Sequence, residues 1–123
     1  MPEEKKKKTP EILKRMNDLA AKLVGELTKF KEPERGYLST LILLLRGATY
    51  DLEQEPATLE QMLVAYSTLT LKTFKINMYY NLLREKLEAQ YTNELQYIRE
   101  QLLRRLDAIN RMIKKRVRAS VTE

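Results

Sequence analysis

Residues 76–117, INMYYNLLREKLEAQYTNELQYIREQLLRRLDAINRMIKKRV, decide the fold. Ile76, Tyr80, Leu83, Leu87, Tyr91, Leu95, Ile98, Leu102, Leu106, Ile109, Ile113 and Val117 recur at steps of three and four, the spacing that lines one side of an α-helix with apolar side chains. From Leu87 onward the steps make an eleven-residue repeat, which keeps the row on one side of a nearly straight helix. At about 1.5 Å per residue the row is roughly 60 Å long, whereas a compact chain of this size is only about 30 Å across. Another copy, another subunit or a fold-back must therefore cover part of it. Two places are weak enough to turn. Ser67 to Thr73 is poor in helix formers and alternates like a strand, and at Tyr91-Thr92-Asn93 either Thr92 or Asn93 can cap a new helix. No Gly or Pro follows Pro56, so residues 58–118 read either as one helix or as two, about 58–90 and 92–118.

Upstream of that row the punctuation is clearer. Residues 1–8 form a charged arm, and Thr9-Pro10 reads as an N-cap followed by the proline tolerated in a first helical turn. Ile12, Met16, Leu19, Leu23, Leu27 and Phe30 define a first amphipathic helix over about 10–30, ended by Lys31-Glu32-Pro33-Glu34-Arg35-Gly36. A second helix over about 34–51 contains Leu41 to Leu45, apolar all round, which suits the most buried element of a bundle or one covered by a partner chain. Pro56 ends it, and Thr58 with Gln61 matches a capping box that starts the next helix. The expectation is one all-α domain over 9–123: a helical bundle with an N-terminal helix pair and a long amphipathic C-terminal helix, completed by a partner subunit. The interface expected for that partner is Leu95, Ile98, Leu102, Leu106, Ile109, Ile113 and Val117.

Composition agrees with one helical domain and removes most chemistry. The 123 residues are 43% hydrophobic and 33% charged, enough for one core and a solvated surface, with three Gly and four Pro. There is no cysteine and no histidine, so thiol chemistry, disulfides, the commonest metal ligand and the commonest general base are all missing. The acid pairs Glu94 with Glu100 and Asp51 with Glu53 have no histidine to complete a helical metal motif and no apolar run to perturb them, so they read as solvated surface. Neither an enzyme nor a cofactor is expected. The best apolar run, Leu38 to Leu45, is bounded by Arg35 and Arg46 and falls short of the roughly 18 residues a membrane crossing needs. The charged N-terminus lacks the apolar region of a signal peptide.

The net charge of +6 is unevenly placed. Residues 1–35 carry ten basic and seven acidic groups, residues 36–71 one against four, and residues 72–123 twelve against six. Arg104, Arg111, Lys115 and Arg118, spaced by seven, four and three, lie on the side of the last helix away from the apolar row. Two readings compete. Such a row matches the repeat of a phosphate backbone; it is also what an ordinary solvated face with cations near a helix C-terminus looks like. Arg105, Lys114 and Arg116 flank the apolar row, where their stems can cover it. Tyr79 and Tyr97 are candidate surface stacking contacts, while Tyr80 and Tyr91 fall on the apolar row and read as core.

In size, charge layout and helix order, over its whole length, the chain resembles the small helical capsid proteins of filamentous archaeal viruses. In that family an N-terminal helical segment wraps DNA and the other helices pack between subunits. The resemblance implies a structural protein of the virion that packages nucleic acid, double-stranded DNA held without sequence preference, and that associates with itself or a homologous subunit. The positions taking the DNA-facing part are Lys5, Lys6, Lys7, Lys8, Lys14, Arg15 and Lys22, with Arg104, Arg111, Lys115 and Arg118 as a second contact. The rival class is a protein-only interaction subunit of a larger complex, placed in the cytoplasm. Salt dependence separates the two, because counterion release weakens nucleic-acid binding steeply while an apolar interface changes little.

Overall fold

A proline, a capping box and an unmarked reversal divide the chain into four helices in the computed structural model, which describes residues 10–122. They are α1 (Glu11–Glu26, prolonged by a 3-10 turn over Leu27–Lys29), α2 (Glu34–Glu53), α3 (Leu59–Leu83) and α4 (Ala89–Thr122), with no strand among the described residues. Pro10 stands just before α1, where its missing N–H is not needed, and its carbonyl accepts from the amides of Leu13 and Lys14 at 3.1 and 3.3 Å. Thr9, the cap expected from the sequence, lies outside the described residues. At α3 the capping box forms: Thr58 Oγ1 accepts from the Gln61 amide at 3.1 Å, and Gln61 Oε1 accepts from the amides of Ala57 and Thr58 at 2.8 and 3.3 Å.

The reversal between α3 and α4 lies at neither expected weak point. Ser67 to Thr73 is helical throughout, and its hydroxyls are absorbed by the backbone one turn earlier: Thr68 donates to the Ala65 carbonyl at 3.3 Å and Thr73 to that of Leu69 at 2.7 Å. Tyr91 to Asn93 belongs to the first turn of α4. The chain turns instead at Arg84-Glu85-Lys86-Leu87-Glu88, where the Leu83 carbonyl accepts from both Lys86 and Leu87 amides at 2.8 and 3.0 Å. The Glu88 carbonyl then opens α4 by accepting from Tyr91 and Thr92 at 2.9 and 3.2 Å. These are good helix formers, so local propensity does not set the turn. A continuous helix would leave its apolar row in water, while a reversal here lays Ile76, Tyr80 and Leu83 against Leu95, Ile98 and Leu102, all buried. At about 25 cal/mol per Å² that burial outweighs the few helical hydrogen bonds given up at the turn.

This packing corrects the expected subunit interface. Leu95, Ile98, Leu102, Leu106 and Ile109 lie in one intramolecular core with Met16, Leu19 and Leu23 of α1, Leu38, Leu41 and Leu45 of α2, and Met62, Leu69, Ile76 and Leu83 of α3. The chain itself covers them. Ile113 is half-buried and Val117 is 43% exposed, because α4 runs past the end of the bundle there. The Leu41 to Leu45 run also divides: Leu41, Ile42 and Leu45 are buried, Leu44 is half-buried, and Leu43 is 68% exposed.

The most extensive seams join α2 with α3, α3 with α4 and α1 with α2, and α1 closes on α4 more lightly. Polar contacts lie beside the leucine seams of α4. Gln96 Nε2 donates to the Tyr80 hydroxyl at 2.7 Å, and Arg99 donates to the Asn77 side-chain oxygen. Arg105 Nη2 reaches the Gln54 carbonyl at 3.3 Å, and Arg116 Nη2 reaches the Ala57 carbonyl at 2.7 Å, so two arginines of α4 hold the two ends of the α2–α3 connection. The Nε of Arg105 is buried without an acceptor among the described residues.

Candidate nucleic-acid interface

Ile109 is the last fully buried side chain of α4, yet the helix continues to Thr122, and residues 114–121 are all exposed. Arg111, Lys115 and Arg118 are exposed beyond Ile109 and Arg104 is exposed beside the bundle, and their spacing puts the four on one side of the helix in a row roughly 20 Å long. Asp107 is the only acid between Arg104 and Arg118. The flanking arginines behave differently: Arg105 and Arg116 spend hydrogen bonds on the α2–α3 connection, while Lys114 stays exposed. Arg104 also lines a shallow depression with Pro10, Ile12 and Leu13, so the row starts where α1 begins.

The N-terminal cations separate into three cases. Lys5, Lys6, Lys7 and Lys8 lie outside the described residues. Lys14 and Lys22 are exposed on α1. Arg15 departs from the sequence expectation. Its Nε and Nη2 donate to the two carboxylate oxygens of Glu94 at 2.8 and 2.6 Å, and its guanidinium carbon lies 3.7 Å from the centre of the Tyr97 ring. A forked pair with a stacked aromatic is the geometry a guanidinium holds best. The hydrogen bonds from Arg15 keep the Glu94 carboxyl below its ordinary pKa, and the same bonds push the Arg15 pKa up. Arg15 is therefore committed to the α1–α4 seam, and a phosphate reaching it would have to displace Glu94.

The tyrosines are likewise occupied. Tyr97 underlies Arg15; Tyr79 packs against Tyr37 with ring centres 6.0 Å apart and planes at 47°; Tyr80 is buried beneath Arg99. Tyr91 donates its hydroxyl to Glu26 at 3.2 Å, and burial together with that carboxylate raises its pKa. None of these four is a free stacking platform. The acid pairs are divided too, since Glu94 holds Arg15 and Asp51 holds Lys72 at 2.8 Å. No group of three potential metal ligands and no helix long and apolar enough to cross a membrane occurs among the described residues.

A second surface escaped the sequence reading. Leu63, Val64, Leu71, Phe74, Met78 and Leu82 are exposed on α3, on the side opposite Leu69, Ile76, Tyr80 and Leu83. The exposed Leu43 and Tyr50 of α2 lie on the adjoining helix, and Tyr50 shares a depression with Val64 and Thr68. The signal was present as a second apolar row at steps of seven, three, four and four from Val64 to Leu82. A helix with two opposed apolar rows has little amphipathic contrast, so reading one row hides the other. No known protein family, curated protein or solved structure matches the chain.

Proposed function

We propose that the chain is a non-enzymatic assembly protein that packages nucleic acid, holding duplex DNA by its phosphates rather than by its bases. The observation that carries this reading is the exposed cationic side of α4 at Arg104, Arg111, Lys115 and Arg118, on a helix that outruns its own bundle. Four cations along roughly 20 Å are spaced to follow one strand of a phosphate backbone, whose charges recur every few ångströms. Lys14 and Lys22 add positive charge from α1. Among the described residues no aromatic or polar cluster on this side suits base reading, so binding through phosphate alone implies indifference to sequence. A packaging subunit of a DNA-containing particle, acting together with other copies, is the role that fits these properties and the resemblance in helix order and charge layout.

The exposed apolar face of α3 favours a second reading, a helical interaction subunit that touches only protein. One experiment separates them. The protein purified without nuclease should carry nucleic acid, read from its ultraviolet absorbance ratio, and the nuclease-treated protein should bind unrelated duplexes with equal affinity. Replacing Arg104, Arg111 and Lys115 by Ala should weaken binding equally for all duplexes and flatten the slope of log affinity against log salt by up to about 0.9 for each phosphate no longer neutralised. Replacing Lys5 to Lys8 by Ala tests the arm in the same way. Unchanged affinity and slope in both variants would make the charge a solvated surface and leave the protein-only reading.

A further inference from the structure

We infer that the apolar face of α3 is the contact surface for a second copy of this chain, packed antiparallel about a two-fold axis that passes between Leu71 and Phe74. The inference stands apart from the nucleic-acid reading, which concerns cations of α1, α4 and the N-terminal arm and no residue of α3.

Area comes first. Phe74 is 64% exposed, and with Leu71, Met78, Leu82, Leu43 and Tyr50 it belongs to a face whose apolar exposure is on the order of 800 Å². That exceeds the largest apolar patch of an ordinary monomer, about 300–600 Å², and equals what one partner gives to a stable interface of standard size.

Symmetry then favours self-pairing. About an axis between Leu71 and Phe74, antiparallel helices place Leu71 opposite Phe74 of the other copy, Ser67 opposite Met78, and Leu63 opposite Leu82. The adjoining helix obeys the same axis. Asp51 of α2 pairs with Lys72 of α3, and a Cβ on Gly47 would lie 2.9 Å from the Lys72 side chain, so the middle of α2 is level with the middle of α3. Leu43 and Tyr50 stand on either side of that level, and the rotation that pairs Leu71 with Phe74 brings Leu43 toward the second copy's Tyr50. An isologous interface requires this self-matching of one patch.

The antiparallel sense rests on the helices rather than on side-chain charge, since the same rotation sets Glu60 opposite Glu85 of the other copy and Arg84 opposite Gln61. The positive end of each α3 dipole meets the negative end of its counterpart. Arg46 and Lys75, the cations nearest the face, have stems long enough to lie over apolar surface with their charges in solvent.

The test uses the full chain after nuclease treatment, so that no polymer bridges copies. Sedimentation equilibrium at high micromolar concentration should show a dimer that persists in strong salt. The double variant Leu71→Glu with Phe74→Glu, at exposed positions, should keep the helical circular dichroism and raise the dimer dissociation constant at least about a hundredfold. The absence of cysteine allows a second test that changes one side chain per chain. Mild oxidation of a mixture of Leu71→Cys and Phe74→Cys proteins should yield the mixed disulfide in preference to either symmetric one. A wild-type monomer, a dimer indifferent to the glutamates, or preferential Leu71→Cys self-pairing would each overturn the proposal. So would a monomer that uses this face to bind lipid vesicles.

Discussion

Leu102 tests whether the long apolar row of α4 belongs to this chain's own core or to an interface. The side chain is fully buried in the core to which all four helices contribute. Leu102→Ala removes hydrocarbon worth about 2 kcal/mol of transfer free energy at roughly 0.8 kcal/mol per methylene. A seam crossed by rigid helices collapses little around the gap, so the residual cavity adds about 1 to 2 kcal/mol. A total near 3 to 4 kcal/mol is a large fraction of the about 5–15 kcal/mol that stabilises a domain of this size. In urea it moves the unfolding midpoint down by about 1.5 to 2 M at a typical slope near 2 kcal/mol per molar. The assay is far-UV circular dichroism in urea at two protein concentrations a hundredfold apart. If Leu102 is core, the difference between wild type and variant is the same at both concentrations, whether or not the folded chains also associate through α3. A loss below about 1 kcal/mol, or a loss present only at the higher concentration, would refute the intramolecular assignment.

Other expectations follow from individual contacts. The Glu94 carboxyl is held below its ordinary value of 4.5 by Arg15, so the folded state binds that proton less readily than the unfolded chain. The pair's contribution is complete above that ordinary value and lost as pH falls through the lowered one, so wild type should lose more stability on acidification than Glu94→Gln, measured as midpoints between neutral and acidic buffers. Removing the α3 cap with Thr58→Ala should cost about 1 kcal/mol, seen as a fall in thermal midpoint of a few degrees, and an unchanged midpoint would mean the box adds nothing. Leu45→Ala should cost about 2 to 5 kcal/mol and Leu43→Ala well under 1 kcal/mol, since the first is buried and the second exposed, and equal losses in urea melts would contradict the orientation of α2.

The parts of this fold that sequence reading reached are those marked by local chemistry. Pro56, Thr58 and Gln61 announce a stop and a start that use only backbone groups a few residues away, and the structure builds both. The reversal at residues 84–88 has no such mark. Arg84, Glu85, Lys86 and Leu87 all favour helix, and what breaks it is the burial achieved when α4 lies back on α3, a tertiary effect that no window of sequence contains. The same blindness explains the interface residues: the length of the row was legible, but the shortest way to cover it was not. Among the charged residues, spacing identified the exposed row at Arg104, Arg111, Lys115 and Arg118. It could not identify Arg15, because Glu94 and Tyr97 approach it from residues far away in the chain.

The grip of Arg105 and Arg116 on the α2–α3 connection bears on a different question, how α4 finds its place along its own axis. Leu95, Ile98, Leu102, Leu106 and Ile109 recur so evenly that a helix slid by one turn would again set branched aliphatic side chains opposite aliphatic ones. Such a seam is sticky but nearly indifferent to translation. Arg105 and Arg116 stand eleven residues apart, three turns, and reach carbonyls at the two ends of one short connection, so a slip of about 5 Å strips both bonds together. With Gln96 on Tyr80 and Arg99 on Asn77, they act as the marks of a vernier, leaving adhesion to the leucines and assigning the reading of position to directional bonds.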